Sequence, residues 1–428
     1  MHNLPVCKPE NKETVKAIFD NLRVGEALDR IKKEQPKRVA DQIALTEIPA
    51  PPFGEQERAQ VFAQMLKDAG LKDVKQDALG NVIGRWKGLG EGPVLLIGAH
   101  LDTVFNDVKE IKVRKEGTKY YAPGISDDAA GLACVLQVAR TLVSSGIETV
   151  GDIVFVGTLG EEGNGDLRGC KALFAEETDF NGMLAIDSAN VHTILKGSVG
   201  CKRYRVIFEG PGGHSLHKFG LAGSAIHALA RAITKVDDLD VPTDPQCTFN
   251  FGVIKGGTTI NSIAERAESE LDIRSYNQPA LEAFIAKVMQ ALEDACTEEN
   301  KRWNLQGDNQ VQLIVEQIGD RPAGKNSDCA SVIQAALGAQ EMLGIELKKY
   351  EFAATDQNVP LFYGLPATTL GAGGTEANNH ALTEWWDETD SYQGPQLALL
   401  TALALVGVKD VSLPLLDKRI LPKADRRL

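Results

Sequence analysis

Residues 94–102, VLLIGAHLD, decide how the chain is read: six uncharged apolar or small residues, then His100 and, two positions on, Asp102. A continuous apolar run of that length is what a strand buried on both faces looks like, and the polar pair falls where it ends. The pattern recurs. IVFVGTLG at 153–160 leads into Glu161 and Glu162, and MLAI at 183–186 leads into Asp187. Between the first two runs, GLACVLQVARTLVSS puts Leu132, Val135, Leu136, Ala139, Leu142 and Val143 on one helical face. Strands buried on both faces, alternating with amphipathic helices, predict an α/β domain with a mostly parallel sheet flanked by helices. Ligands in such sheets collect beyond the carboxyl ends of the strands, where these acids and His100 fall.

Working outward, residues 11–45 carry helical periodicity, IPAPPFGE at 48–55 interrupts it, and EQERAQVFAQMLKDAG forms another helix closed by Gly70. After residue 198 the pattern changes. In CKRYRVIFEG, Tyr204, Val206 and Phe208 alternate with polar residues. In SIAERAESELDIRS, Ile263, Ala267, Leu271 and Ile273 share one face, opposite Arg266, Glu268, Glu270, Asp272 and Arg274. A sheet with one wet face, covered on the other by helices such as SAIHALARAITKV and EAFIAKVMQALEDAC, is an inserted α+β domain. The helix SVIQAALGAQEML and the strand LPATTLGAGG then resume the α/β pattern. The expected division is a first catalytic part at 1–198, an inserted domain at 199–319, and a second catalytic part at 320–428.

At 428 residues the chain exceeds one ordinary core. Its formal net charge of −13 argues against a nucleic-acid surface or docking on anionic lipid and favours a small soluble substrate. Seven cysteines without CxxC spacing read as reduced thiols, not as a disulfide framework or a nucleophile. No apolar stretch reaches the roughly 18 residues a membrane span requires, and no signal-peptide pattern opens the chain. A cytoplasmic protein is expected, although a secreted one stripped of its signal has the same appearance. GTLGEEGNG lacks GxGxxG spacing and no GK[ST] occurs, so a dinucleotide or P-loop site is not expected.

Two further loops add to the acids: GISDDAAG with Asp127 and Asp128, and EANNHALTEWW with His380. Burying so many carboxylates at strand ends is costly unless cations neutralise them. Two divalent ions carry about +4, which Asp127, Asp187, Glu162 and one bridging hydroxide would balance, with His100 and His380 as neutral nitrogen ligands. In the pair Glu161–Glu162 one acid suffices as a ligand, and the other can take a proton from the attacking water. Asp102 stands where it could accept the second imidazole N–H of His100. Asp128 is expected to cap the helix that begins near Ala129. His2, His192, His217 and His227 are not expected to be ligands.

Together these motifs resemble the M20 family of metallopeptidases, especially its tripeptidase (peptidase T) branch. HLDT corresponds to the family's HxD, SDDAAG to its Asp-Asp motif, EEG to its Glu pair, and His380 to its late histidine, over roughly residues 40–410. The resemblance implies a zinc-exopeptidase-like catalytic domain and an inserted lid and dimerisation domain. It also implies that Asp127 bridges two divalent ions, zinc or else manganese or cobalt. His100 and Asp187 would complete one ion's ligands, Glu162 and His380 the other's, with Glu161 as general base. PGGHS is similar to the family's GGHS, which implies that His214 reaches the active site of a second subunit in a homodimer. Asn261 and Arg274 match positions that contact the substrate carboxylate. Ala129 departs from the lysine usual after the Asp pair. Asp187, where deacylase and carboxypeptidase branches carry Glu, tilts the expectation toward an aminopeptidase of short peptides with a free N-terminus, acting through a metal-bridging hydroxide. The alternatives are an N-acyl amino-acid deacylase, a dipeptidase, a carboxypeptidase, or a silent peptide-binding relative.

Overall fold

The computed structural model describes residues 4–176 and 179–419. It divides into two compact units, Met1–Ser198 with Lys325–Leu428, and Val199–Gly324. The strand Gln312–Arg321 runs through the expected boundary at 319/320, so the chain returns to the first unit a few residues later.

In the first unit the main sheet places Asp152–Thr158, Val94–His100, Phe180–Ile186 and Ala367–Leu370 side by side, all parallel. On one side Val82–Trp86 pairs antiparallel with Asp152–Thr158, and Asp73–Gln76 pairs antiparallel with Val82–Trp86; on the other Thr193–Ser198 pairs antiparallel with Ala367–Leu370. Every residue of Val94–His100, Phe180–Ile186 and Ala367–Leu370 is buried. The period of two explains why a continuous apolar run was needed. Leu95 and Ile97 join the core beneath the helices Ala129–Ser145 and Gln393–Val406. Val94 and Leu96 join the opposite core, beneath Arg168–Glu176 and Asn358–Phe362.

The helix Ala129–Ser145 is capped by the Asp128 side chain, which accepts the Gly131 N–H, and ends on Gly146 in the left-handed conformation. It is buried on more than the single face its periodicity announced. The leading segment forms three helices, Pro9–Phe19, Leu22–Lys33 and Gln35–Thr46, of which the last two pack on it, as does Gln393–Val406. At its first turn only glycine fits, since a Cβ on Gly131 would run into the Asp128 carboxylate and the Ile186 carbonyl.

A second, smaller sheet matters more for function. The hairpin formed by Thr375–Ala377 and Trp385–Asp387 pairs with Lys119–Tyr121, which pairs with Arg114–Glu116. His380 lies in the hairpin loop. Trp386 anchors the hairpin, fully buried, with its indole N–H donated to the Gly373 carbonyl at 2.9 Å.

The second unit is a four-stranded antiparallel sheet in the order Cys247–Gly256, Arg266–Ser275, Gly200–Glu209, Gln312–Arg321. Along Arg266–Ser275 burial alternates with the sequence. Leu271 and Ile273 share a core with Leu229 of the helix Ala225–Asp237 and Phe284 of the helix Gln278–Arg302. The polar face carries ion pairs instead, such as Arg205 with Glu270 at 3.1 Å. Among the described residues no helix is long and apolar enough to cross a membrane.

Candidate metal centre

Three neighbouring parallel strands end on the candidate residues: His100 closes one, Glu161 and Glu162 follow Thr158, and Asp187 follows Ile186. Ligand atoms of His100, Asp127 and Glu162 all lie within 4.8 Å of one another. His100 Nε2 stands 3.0 Å from Asp127 Oδ1. On the other side of the same carboxylate, His380 Nε2 stands 3.0 Å from Asp127 Oδ2 and 2.9 Å from Glu162 Oε1. Asp127 therefore lies between the two histidines.

Electrostatics tie Asp187 to this group. Burial first, and the Asp127 charge next, push its carboxyl up to about 6, with the His100 charge and a Thr355 hydrogen bond acting the other way. His380, bonded to Asp127 and Glu162, is pushed up to about 10. For His100 burial opposes the charge, yet Asp102 and Asp127 outweigh it and hold the imidazole well above its ordinary value. Burial likewise opposes ionisation of Asp127, but His100 and His380 pull it below the carboxylate range. Anions this close need cations, and without others the imidazoles serve.

The donor set suits divalent ions. Asp127 Oδ1 is buried and makes no hydrogen bond although His100 Nε2 is 3.0 Å away, so the two atoms adjoin as ligands of one ion do. Nδ1 of His100 lies 3.0 Å from the backbone carbonyl of Asp102. A proton shared there leaves the Nε2 lone pair free for a metal.

Asp102 differs from expectation. Its carboxylate stands 3.6 Å from His100 Nδ1, and its two oxygens instead accept the backbone N–H groups of Glu161 at 2.9 Å and Glu162 at 2.8 Å. The residue fixes the Glu-Glu turn through its side chain and the histidine through its carbonyl. Asp128 caps its helix and also accepts the His100 N–H at 3.0 Å.

In the second unit, Gly213–His214 forms a short ladder with Ser262–Ile263, and the Ser215 N–H donates to the Asn261 carbonyl at 2.9 Å. His214 and Asn261 thus line one open groove of about 810 Å³ together with Arg266. Arg274 lies outside it, eight residues along the strand from Arg266, roughly 26 Å at the usual rise. Its Nε donates to Asp272 Oδ2 at 2.6 Å.

Comparison with known proteins agrees with this architecture. Residues 196–300 match the M20 peptidase dimerisation domain, and residues 81–218 match peptidase family M28. The uncharacterised protein YqjE of Bacillus subtilis is 28% identical over 355 residues, 79% of this chain and 90% of that protein. The crystal structure of aminopeptidase PepT from Bacillus cereus superposes with a TM-score of 0.70 at 24% identity, covering 86% of this chain and 97% of the other. The Bacillus subtilis YXEP protein, a dinuclear metal-binding peptidase of the M20 family, gives 0.65 at 18% identity, covering 88% and 99%. The chain thus carries the M20 peptidase dimerisation domain and shares the fold of the M20 peptidases.

Three acids of the site escape a reading by motif. Glu384 is buried and accepts four hydrogen bonds from the Asp127 loop: the N–H groups of Gly124 (2.8 Å), Ser126 (2.9 Å) and Asp127 (3.2 Å), and the Ser126 hydroxyl (2.9 Å). It locks the hairpin that carries His380 to the loop that carries Asp127. An acid directly before two tryptophans was the available signal. Asp356, buried and pushed by burial up to about 6, accepts the Thr158 hydroxyl at 2.5 Å. Glu376, beside Asp187, is pushed by burial up to about 7. Nothing in the spacing of these two marks them.

Glu384→Ala should weaken metal binding about 10- to 100-fold, the range seen when outer partners of ligands are removed. Competition with a calibrated chelator would measure it, and an unchanged affinity would mean that the hairpin does not position Asp127.

Proposed function

We propose that the chain is an exopeptidase that holds two divalent ions and cleaves the N-terminal peptide bond of short peptides, tripeptides first among them. The observation that carries this reading is the convergence of His100, Asp127, Glu162 and His380, from one strand end and three separate loops, beside Asp187. His100 and Asp187 would hold one ion, Glu162 and His380 the other, and Asp127, set between the histidines, would serve both. Bound ions would offset the buried carboxylates, acidify a water and polarise the scissile carbonyl. Zinc suits this nitrogen and oxygen set, as do manganese and cobalt.

Glu161 acts as the general base, taking a proton from the attacking water and passing it to the leaving amine. Asp102 supports that role by fixing the turn on which Glu161 sits. His214, contributed by a second copy of the chain, donates to the developing oxyanion, while Asn261, in the same groove, contacts the substrate carboxylate; Arg274, outside that groove and paired with Asp272, is not placed for that contact. A homodimer through the second unit is supported by the dimerisation-domain match and by the edge strand Cys247–Gly256, which exposes Val253 and Ile254. The net charge suits a small peptide rather than nucleic acid, and a cytoplasmic setting suits the seven unpaired cysteines.

The test joins elemental analysis to a substrate series. The reading expects about two ions per chain and faster hydrolysis of tripeptides with a free amine than of longer peptides or N-acyl amino acids. Failure to take up zinc, manganese or cobalt would refute it. A series led by N-acyl amino acids would make the chain a deacylase.

A further inference from the structure

Beside the metal centre lies a cavity of about 270 Å³ whose walls include Asp187, Ser188, Thr355, Thr369, Glu351 and Glu376. Asp187 borders both the cavity and the ligand cluster, so whatever occupies the cavity lies next to the reacting bond. Acidic groups dominate it. Lys349, the cation in its wall, stands 4.0 Å from Glu351, which leaves Glu376 without an ion-pair partner among the described residues. The Glu376 side chain receives hydrogen bonds from the Ala189 N–H and the Asn379 side chain, yet its Oε2 is buried and accepts none. The strand Thr375–Ala377, held against Trp386, keeps the residue in place.

A carboxylate left partly unsatisfied beside a cavity is an arrangement that a cationic donor relieves. Resting on the exopeptidase reading, we propose that Glu376 and this cavity receive the positively charged α-amino group of the substrate's N-terminal residue. The nitrogen of that group is one carbon from the scissile carbonyl, so its receptor has to adjoin the metal centre, as Glu376 does by way of Asp187. An ammonium brings three N–H donors and a charge, and the pair is stronger for being partly withdrawn from water. An acylated nitrogen brings no charge and leaves the acid unpaired. Glu376 then separates an aminopeptidase from a deacylase on the same metal chemistry.

The test compares Ala-Ala-Ala with propionyl-Ala-Ala, which has the same shape without the amine, in the metal-loaded full chain. Wild type should prefer the free amine in kcat/KM by about 10²-fold or more, as sites built around a polar group do. In Glu376→Gln that preference should shrink about tenfold or more, through the free peptide alone, with metal content unchanged, and Glu376→Asp should restore part of it. An unchanged preference in Glu376→Gln overturns the assignment. So does a wild-type enzyme that cleaves the two equally, an outcome that needs no variant to fold. Hydrolysis of neither peptide by metal-loaded wild type would instead condemn the exopeptidase reading itself.

Discussion

Glu161→Gln is expected to lower kcat for a tripeptide about 10³-fold, within the range a positioned general base contributes, while metal content stays at the wild-type level. The two acids of the pair are adjacent in sequence but differently engaged. Glu162 Oε1 touches His380 Nε2 at 2.9 Å and belongs to the ligand cluster. Glu161 is outside that cluster, although equally buried, and its backbone is fixed by Asp102 Oδ1 at 2.9 Å. Glutamine keeps the shape and removes the proton acceptor. Glu162→Gln should do the reverse, with metal lost first and activity following it. Single-turnover kinetics beside elemental analysis of both variants separates the two roles. Metal loss in Glu161→Gln with retention in Glu162→Gln would exchange them.

Metal affinity should rise steeply with pH, by about tenfold per pH unit for each proton displaced. Without metal the histidines serve as the counter-cations: His380 is pushed up to about 10 by Asp127 and Glu162, and His100 stands well above its ordinary value. An ion needs both imidazoles neutral, so binding between pH 7 and 9 expels protons that the cluster otherwise retains. Asp187 adds to this below neutrality. Its folded value of about 6 exceeds the ordinary 3.8, so between roughly pH 4 and 6 the native state binds more protons than the unfolded one. In the metal-free protein this group's contribution to stability is present below that window and lost as pH rises through it. A bound cation stabilises the ionised form and reverses the effect, so metal should raise the melting temperature far more at pH 8 than at pH 5.5. Chelator competition at two pH values, with calorimetry in buffers of different ionisation enthalpy, would detect the released protons. An affinity independent of pH would show that the imidazoles are not ligands.

Much of this architecture was legible in the chain itself. Strands buried on both faces leave continuous apolar runs, and the acids and His100 that follow them stand where a parallel sheet gathers its ligands, so VLLIGA, IVFVGT and MLAI announce both sheet and site. In the same way the strict alternation along Arg266–Ser275 announces a sheet with one wet face. Local pattern fails where a side chain's partner is remote. Asp102 looks like the support of its near neighbour His100, but its carboxylate bonds the backbone of residues some sixty positions away. Glu384 acts on a loop more than 250 positions earlier.

What the sequence determined alone was the alternation of elements, the two-unit division and the kinds of ligand available. Those follow from period and residue chemistry, which are local properties. Only the tertiary structure decided that Asp127 lies between His100 and His380, that Glu384 ties their loops together, and that Glu376 borders the cavity beside Asp187. Distances of 3 Å between distant residues arise from how helices and hairpins close over a sheet, and no spacing along a chain encodes them.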